Sequence, residues 1–207
     1  MKRALIVVAA LLMLMPASGS AQTTTRTVFL PFLAKKYTYQ FTKSGASVTA
    51  KFYKLGSDTG TGWTRGDGAF GTLNKTSSPP CPLNDTAHIK TIWPSSRDLL
   101  IRRHLSIPAG ARNVVIKVAL DNGVRVYFNG KDVCGGEREH NSCATAQGDI
   151  IITVPDSLLR AGDNLLAVRG EWESSKSYLD LTVEGDVAYT IDASAGTGGT
   201  ITPSGRL

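Results

Sequence analysis

Along residues 37–187, apolar and polar positions alternate in short runs broken by Gly, Pro, Asn and Asp, and no long stretch keeps a helical period. Val124, Val126 and Phe128 alternate with Arg125 and Tyr127, the pattern of a half-buried strand. The same reading predicts strands at Tyr37–Thr42, Ser47–Leu55, Ala87–Trp93, Leu99–Ile107, Asn113–Leu120, Asp149–Val154, Leu165–Trp172 and Tyr178–Gly185. Asp121-Asn122-Gly123 reads as a turn, because Asp and Asn bond their own backbone and Gly accepts positive φ. Asn129-Gly130 is a hairpin signal. Pro155–Arg160 reads as one helical turn near 156–160, stopped by Gly162. Gly56–Thr86 has little periodicity and is expected to wander as a loop, pinned by Trp63 and Phe70.

About ten short antiparallel strands with frequent turns and no amphipathic helix imply an all-β fold, a two-sheet jelly-roll sandwich. Residues 37–187 would form it, a size that supports a real core. Residues 23–36 contain Val28-Phe29-Leu30-Pro31-Phe32-Leu33, an edge strand or an extended linker because Pro31 donates no ladder hydrogen bond. Residues 188–207 are rich in Gly, Ser and Thr and too few to hold a core; they read as a tail or an incomplete repeat.

The N-terminus changes the expected compartment. Lys2 and Arg3 precede the apolar run Ala4–Met15, and small residues follow to Gln22, the layout of a secretory signal over 1–22. The run is shorter than the roughly 20 residues a bilayer-crossing helix needs, so no membrane span is expected after cleavage. A secreted or cell-surface chain follows. Loss of Lys2 and Arg3 lowers the formal net charge from +6 to +4, and no Lys/Arg cluster is interleaved with aromatics, so nucleic acid is not an expected partner.

Export permits disulfides, and the chain has three cysteines: Cys81, Cys134 and Cys143. Cys134 and Cys143 enclose a polar loop without apolar anchors, which a bridge between them would rigidify. Pairing of Cys81 with either one is the alternative. A zinc site is not expected, since His140 is the only nearby histidine and no Cys-x-x-Cys pair exists.

Three segments carry a family resemblance: Arg102-Arg103 through Ile107-Pro108, Asp121-Asn122-Gly123 through Asn129-Gly130, and Leu159 through Gly162-Asp163-Asn164 to Val168. With Trp63 and Gly66–Gly71 upstream, they resemble the galactose-binding-domain-like β-sandwich, especially the non-catalytic sugar-binding domain of family 2 glycosidases. The resemblance implies carbohydrate binding without chemistry of its own. No catalytic barrel follows, so glycosidase activity does not carry over, and the Cys134–Cys143 segment departs from the pattern. Tyr189–Gly205 resembles the opening of small β-repeats of bacterial surface proteins.

Strand counting places a site. Alternate connections of an antiparallel sandwich fall at one end, so Pro94–Arg97, Asp121–Gly123, the Cys134–Cys143 loop and Glu173–Ser177 should share a rim. That rim would gather Trp93, Arg97, Asp121, Asn122, Arg138, Trp172 and Lys176 as ligand-binding candidates, with Glu137 and His140 beside them. Sugars offer C–H faces that stack on Trp and hydroxyls that suit Arg, Asp and Asn. A cell-surface glycan or polysaccharide is the expected partner. Trp93 and Trp172 also read as core or rim packing. Asp58, Asp121 and Asp180 leave room for a structural calcium, although no Asp-x-Asp loop marks one. His88 and His104 fall in predicted strands and read as structural. No esterase elbow, P-loop or His-Glu-x-x-His is present, and no carboxylate pair is marked for glycoside hydrolysis, so an enzyme is not expected. A ligand-free spacer domain is the alternative, and a small secreted glycosidase the third.

Overall fold

The computed structural model describes residues 18–48, 50–56, 60–73, 80–173 and 176–194. Residues 1–17 of the expected signal, Asp58, and residues 195–207 of the expected tail lie outside them. The chain divides into two compact units. One, Met1–Thr24 with Ala188–Leu207, is described only over strand residues 18–24 and 188–194. The other, Thr25–Val187, carries everything that follows.

The described strands are β1 (Ser18–Leu30), β2 (Tyr37–Lys43), β3 (Thr64–Gly66), β4 (Phe70–Gly71), β5 (Thr91–Ile92), β6 (Arg97–Ile107), β7 (Arg112–Phe128), β8 (Lys131–Asp132), β9 (Arg138–His140), β10 (Ile150–Thr153), β11 (Gly162–Glu171) and β12 (Tyr178–Ser194). The fold is all-β. One sheet pairs β10 with the first half of β7, then β12, then β4 and β5. The other runs β3–β2–β6–β11 and ends on the second half of β7, which also pairs β8 and β9. β1 pairs β12. The sheets thus share β7, and their inner faces enclose Leu99, Ile101, Ile116, Val118, Val126, Phe128, Val168 and Leu181, each at most 1 % exposed. Burying such a side chain stabilises the fold by roughly 1.5–3 kcal/mol relative to leaving it in water.

Four expected elements are corrected. Asp121-Asn122-Gly123 is not a turn outside strands: β7 runs through it and changes sheets there, pairing Asp121 with Tyr178 and Gly123 with Glu171. The positive φ of 99° belongs to Asn122. Gly123 matters for closeness instead, since a Cβ there would stand 2.6 Å from Glu137 Oε1 and 3.1 Å from Glu173 Oε1. Ser47–Leu55 is not a strand; its described part contains a 3-10 turn at Ala50–Phe52. Buried Arg102 binds that segment, its Nη1 donating to the carbonyls of Lys51 (3.1 Å), Phe52 (2.5 Å) and Lys54 (3.3 Å). Ala87–Trp93 is strand only at Thr91–Ile92, and His88 sits in a turn, where it meets Asp85 at 2.8 Å.

The fourth correction is covalent. Cys81 and Cys143 form the disulfide, and Cys134 is a buried free thiol. Cys134 Sγ accepts the Val126 N–H at 3.2 Å, so the residue packs into the core of its own sheet. The two cysteines nearest in sequence do not pair, because Cys143 meets a loop 62 residues earlier.

The hairpin at Asn129-Gly130 has positive φ at both residues, 48° and 86°. The expected helical turn is a 3-10 turn at Asp156–Leu158.

Candidate functional site

The strand register sets which residues meet. Asp121 at the corner of β7 stands beside Tyr178, the start of β12. Gly123 stands beside Glu171, the end of β11, and beside Glu139 of β9. β6 begins at the same end, with Leu99 opposite Gly170. This end therefore collects the β5–β6 connection, the β7 corner, the segment after β9 and the β11–β12 connection.

A hollow of about 510 Å³ opens here. Asp121 and Asn122, both 4 % exposed, come from the β7 corner. Asn141, Ser142 and Cys143 come from the segment after β9, Glu173 and Lys176 from the β11–β12 connection, and Cys81 from the loop before β5. The disulfide ties two of these segments together. Asn122 Nδ2 donates to Asp121 Oδ1 at 2.9 Å, so the carboxylate and the carboxamide are held against one another. Asp121 Oδ2 lies 4.0 Å from the Cys81 sulfur.

Burial pushes the Asp121 carboxyl up to about 6; Lys176 and His140 oppose the rise, and Asp149 adds to it. His140 donates from Nδ1 to the Leu120 carbonyl at 2.7 Å, leaving Nε2 toward Ser142 Oγ at 3.0 Å. Asp149 accepts the N–H groups of Leu120 and Thr145, which anchors the segment that walls the hollow.

An acidic ridge flanks the hollow. Glu137, Glu139 and Glu173 place carboxylate oxygens within 4.8 Å of one another, a spacing that could hold a divalent cation. Glu171 is pushed up to about 7, first by burial and then by its side-chain hydrogen bond with Glu137, which requires a proton on one of the two. The calcium candidates are distributed differently: Asp121 lines the hollow, while Asp180 lies in a separate small cavity with Phe32, Leu83 and Tyr178. Asp180 accepts the Leu33 N–H at 2.8 Å and the Leu181 N–H at 2.9 Å, and burial raises it to about 7.

Of the candidates read from the sequence, Asp121, Asn122 and Lys176 line this hollow together. Trp93 does not present a face to any ligand. It is 1 % exposed, and its Nε1 donates to the Arg97 carbonyl at 2.6 Å. Arg97 is exposed at the start of β6. Trp172 is half-buried, its N–H donating to Asp98 and its carbonyl accepting from Ser44 Oγ. Arg138, on β9, turns its Nε to the Cys134 carbonyl at 3.1 Å. Sequence reading omitted Asn141, Ser142 and Glu173. The first two follow His140, whose pairing with Asn122 brings them beside Asp121.

A second hollow, of about 360 Å³, lies against β2 and the 3-10 segment. Trp63 stacks on Phe52 there, with ring centroids 6.3 Å apart and planes inclined by 16°. Gln40, Thr42 and Lys51 surround it, and Thr42 Oγ1 is buried without a hydrogen-bond partner.

No family model matches the chain, and no curated protein matches it. Among solved structures, it is similar to part of a β-glucuronidase from Bifidobacterium dentium: 20 % identity, 70 % of this chain and 20 % of that one, TM-score 0.44. A Ruminococcus gnavus β-glucuronidase gives 11 % identity over 83 % of this chain and 31 % of that one, TM-score 0.48. A glycosyl hydrolase family 2 member from Bacteroides cellulosilyticus gives 16 % identity, 76 % and 20 % coverage, TM-score 0.46. The chain spans between a fifth and a third of the length of these enzymes.

Proposed function

We propose that this protein is an exported, non-catalytic binding module that takes an uncharged sugar residue of a surface glycan or polysaccharide in the hollow at the β7 corner. The observation that carries the reading is the buried Asp121–Asn122 pair at the base of that hollow. A carboxylate and a carboxamide side by side offer acceptors and donors to sugar hydroxyls, and Asn141, Ser142 and Lys176 add more around the opening. Burial strengthens each hydrogen bond formed there.

The carboxylates favour binding over hydrolysis. A glycosidase needs two carboxyl groups about 5–9 Å apart across a cleft. Glu137 and Glu171 are instead close enough to share a proton, which helps to raise Glu171.

The test is a glycan array and calorimetry with the full chain, Asn122→Gly, Ser142→Ala and Trp63→Ala. Asn122→Gly keeps the positive φ and removes the carboxamide. Binding of a neutral glycan that weakens in Asn122→Gly and Ser142→Ala but not in Trp63→Ala supports the reading. Loss in Trp63→Ala alone would move the sugar to the hollow beside β2, and no binding to any glycan would leave a spacer domain.

A further inference from the structure

On the side of the sandwich where edge strands β3 and β5 approach one another, the seam between the sheets opens into a groove of about 640 Å³. Lys36 enters it from the connection before β2, Arg65 from β3, and Lys90 from beside β5. All three are exposed, and no described carboxylate forms an ion pair with any of them. The single acid in the groove, Asp67, is already engaged: its Oδ1 accepts the Lys36 N–H at 2.9 Å.

The floor is built, not incidental. Thr91 Oγ1 donates to the Asp67 carbonyl at 2.8 Å, tying the two sheets across the seam. Gly66 packs so closely that a Cβ there would stand 2.6 Å from Tyr39 Cε1 and 2.8 Å from Thr91 Oγ1.

We propose that this groove binds the acid groups of an anionic polysaccharide, carboxylates or sulfate esters, through Lys36, Arg65 and Lys90. Cations without acid partners, spaced along an open groove, suit a repeating anion. Ile92 is the only exposed large apolar side chain lining the groove, too little surface to enter a bilayer. Tyr39 packs edge-on against Phe41 and Phe70, so it offers no stacking platform for nucleic-acid bases. The acidic ridge of Glu137, Glu139 and Glu173 repels such a polymer from the sugar hollow, so the two sites select different ligands.

The experiment measures binding of the full chain to dextran sulfate, carboxymethyl dextran and plain dextran at low and physiological salt. One variant is Arg65→Gln with Lys90→Gln. A charge-matched control is Lys54→Gln with Lys131→Gln, both at exposed lysines outside the groove. The expected result is binding to the charged dextrans and not to dextran, weakened by salt. The groove variant should lose about tenfold in affinity and the control less than about twofold. Comparing the sulfate and carboxymethyl polymers tells which acid is preferred. Equal losses in groove variant and control would overturn the proposal, because net charge alone would then explain binding. So would binding to vesicles of anionic lipid but to neither charged dextran. Unchanged binding in the groove variant would likewise overturn it and leave these cations as guards of the strand edges.

Discussion

Gly170 packs against the indole of Trp93: a Cβ at that position would meet the outer edge of the six-membered ring, Cη2 first, with Cζ3 at 3.1 Å. The ring is covered on one side by β11 and held at its other end by the bond from Nε1 to the Arg97 carbonyl. Its role is to seal the sandwich where β6 begins.

Gly170→Ala should therefore destabilise the protein by about 1–3 kcal/mol through overpacking. Trp93→Ala should remove about 3–5 kcal/mol through the void it leaves. Equilibrium urea unfolding checks both. A Trp93→Ala protein as stable as the wild type would refute a core role for this ring.

Cys81 and Cys143 close a 62-residue loop, for which the chain-entropy estimate of stabilisation is about 4 kcal/mol. Cys143→Ser should lower the unfolding midpoint strongly and loosen the wall of the sugar hollow. Cys134→Ala leaves the cross-link intact. Thiol titration of the non-reduced chain should find one reactive group after denaturation and none before, since Cys134 is 4 % exposed and burial raises its pKa. Detection of Cys134 in a disulfide by peptide mapping would contradict this.

Burial raises Asp121, Glu171, Glu173 and Asp180 on folding, and three of them move furthest: Asp121 to about 6, and Glu171 and Asp180 to about 7. Each binds its proton more tightly in the folded protein than in the unfolded chain, where the value is near 4. Their ionisation thus withholds stability at neutral pH, and that stability returns as the pH falls through 7 and 6 toward 4. Below about pH 4 the trend reverses, because Asp132, Asp186 and Glu184 are held low by hydrogen bonds to Arg125, to Asn113 and Arg26, and to Lys117 and Arg26. The urea midpoint should be higher near pH ~5.5 than near pH ~8. Asp180, the most enclosed of the three, should supply most of the difference. A midpoint that rises steadily from pH ~5.5 to pH ~8 would rule this out.

Asn164 is fully buried with every side-chain position used. Its Oδ1 accepts from Asn129 Nδ2 at 2.8 Å and Arg160 N at 3.0 Å, and its Nδ2 donates to the carbonyls of Arg160 and Gly162. Asn129 Oδ1 in turn accepts the Leu165 N–H at 2.8 Å. Asn164→Ala strands several of these groups in a dry environment and should destabilise by about 2–4 kcal/mol, more than Asp163→Ala at the exposed neighbour. Paired denaturation curves of the two variants decide it.

Features legible from sequence are those whose cause is local. Val124, Val126 and Phe128 alternate and are all fully buried, and Asn129-Gly130 adopts the two positive φ angles its composition favours. The shared end of the sandwich also followed, because strand alternation needs only the order of elements. What was misread depends on contacts distant in sequence. Nothing near Ser47–Leu55 reveals that Arg102 will claim its carbonyls and hold it as a 3-10 turn. Nothing in Asp121-Asn122-Gly123 distinguishes a turn from a strand that changes sheets. Trp93, offered both as a ligand contact and as core packing, is core, because Gly170 of β11 leaves room to receive it. Asn141 and Ser142 follow His140, which pairs with Asn122 across β9, and the Cys81–Cys143 bridge fixes their far end.

Because β7 belongs to both sheets, neither sheet can open without breaking the ladder of the other. Val118 and Val126, eight residues apart on one strand but in different sheets, are thereby bound into the same unfolding event. Backbone amides bonded into the ladders on either side of the corner should exchange with solvent deuterium at a common free energy, close to that of global unfolding. A molecule built this way meets thermal agitation or mechanical pull as a single latch rather than as two leaves.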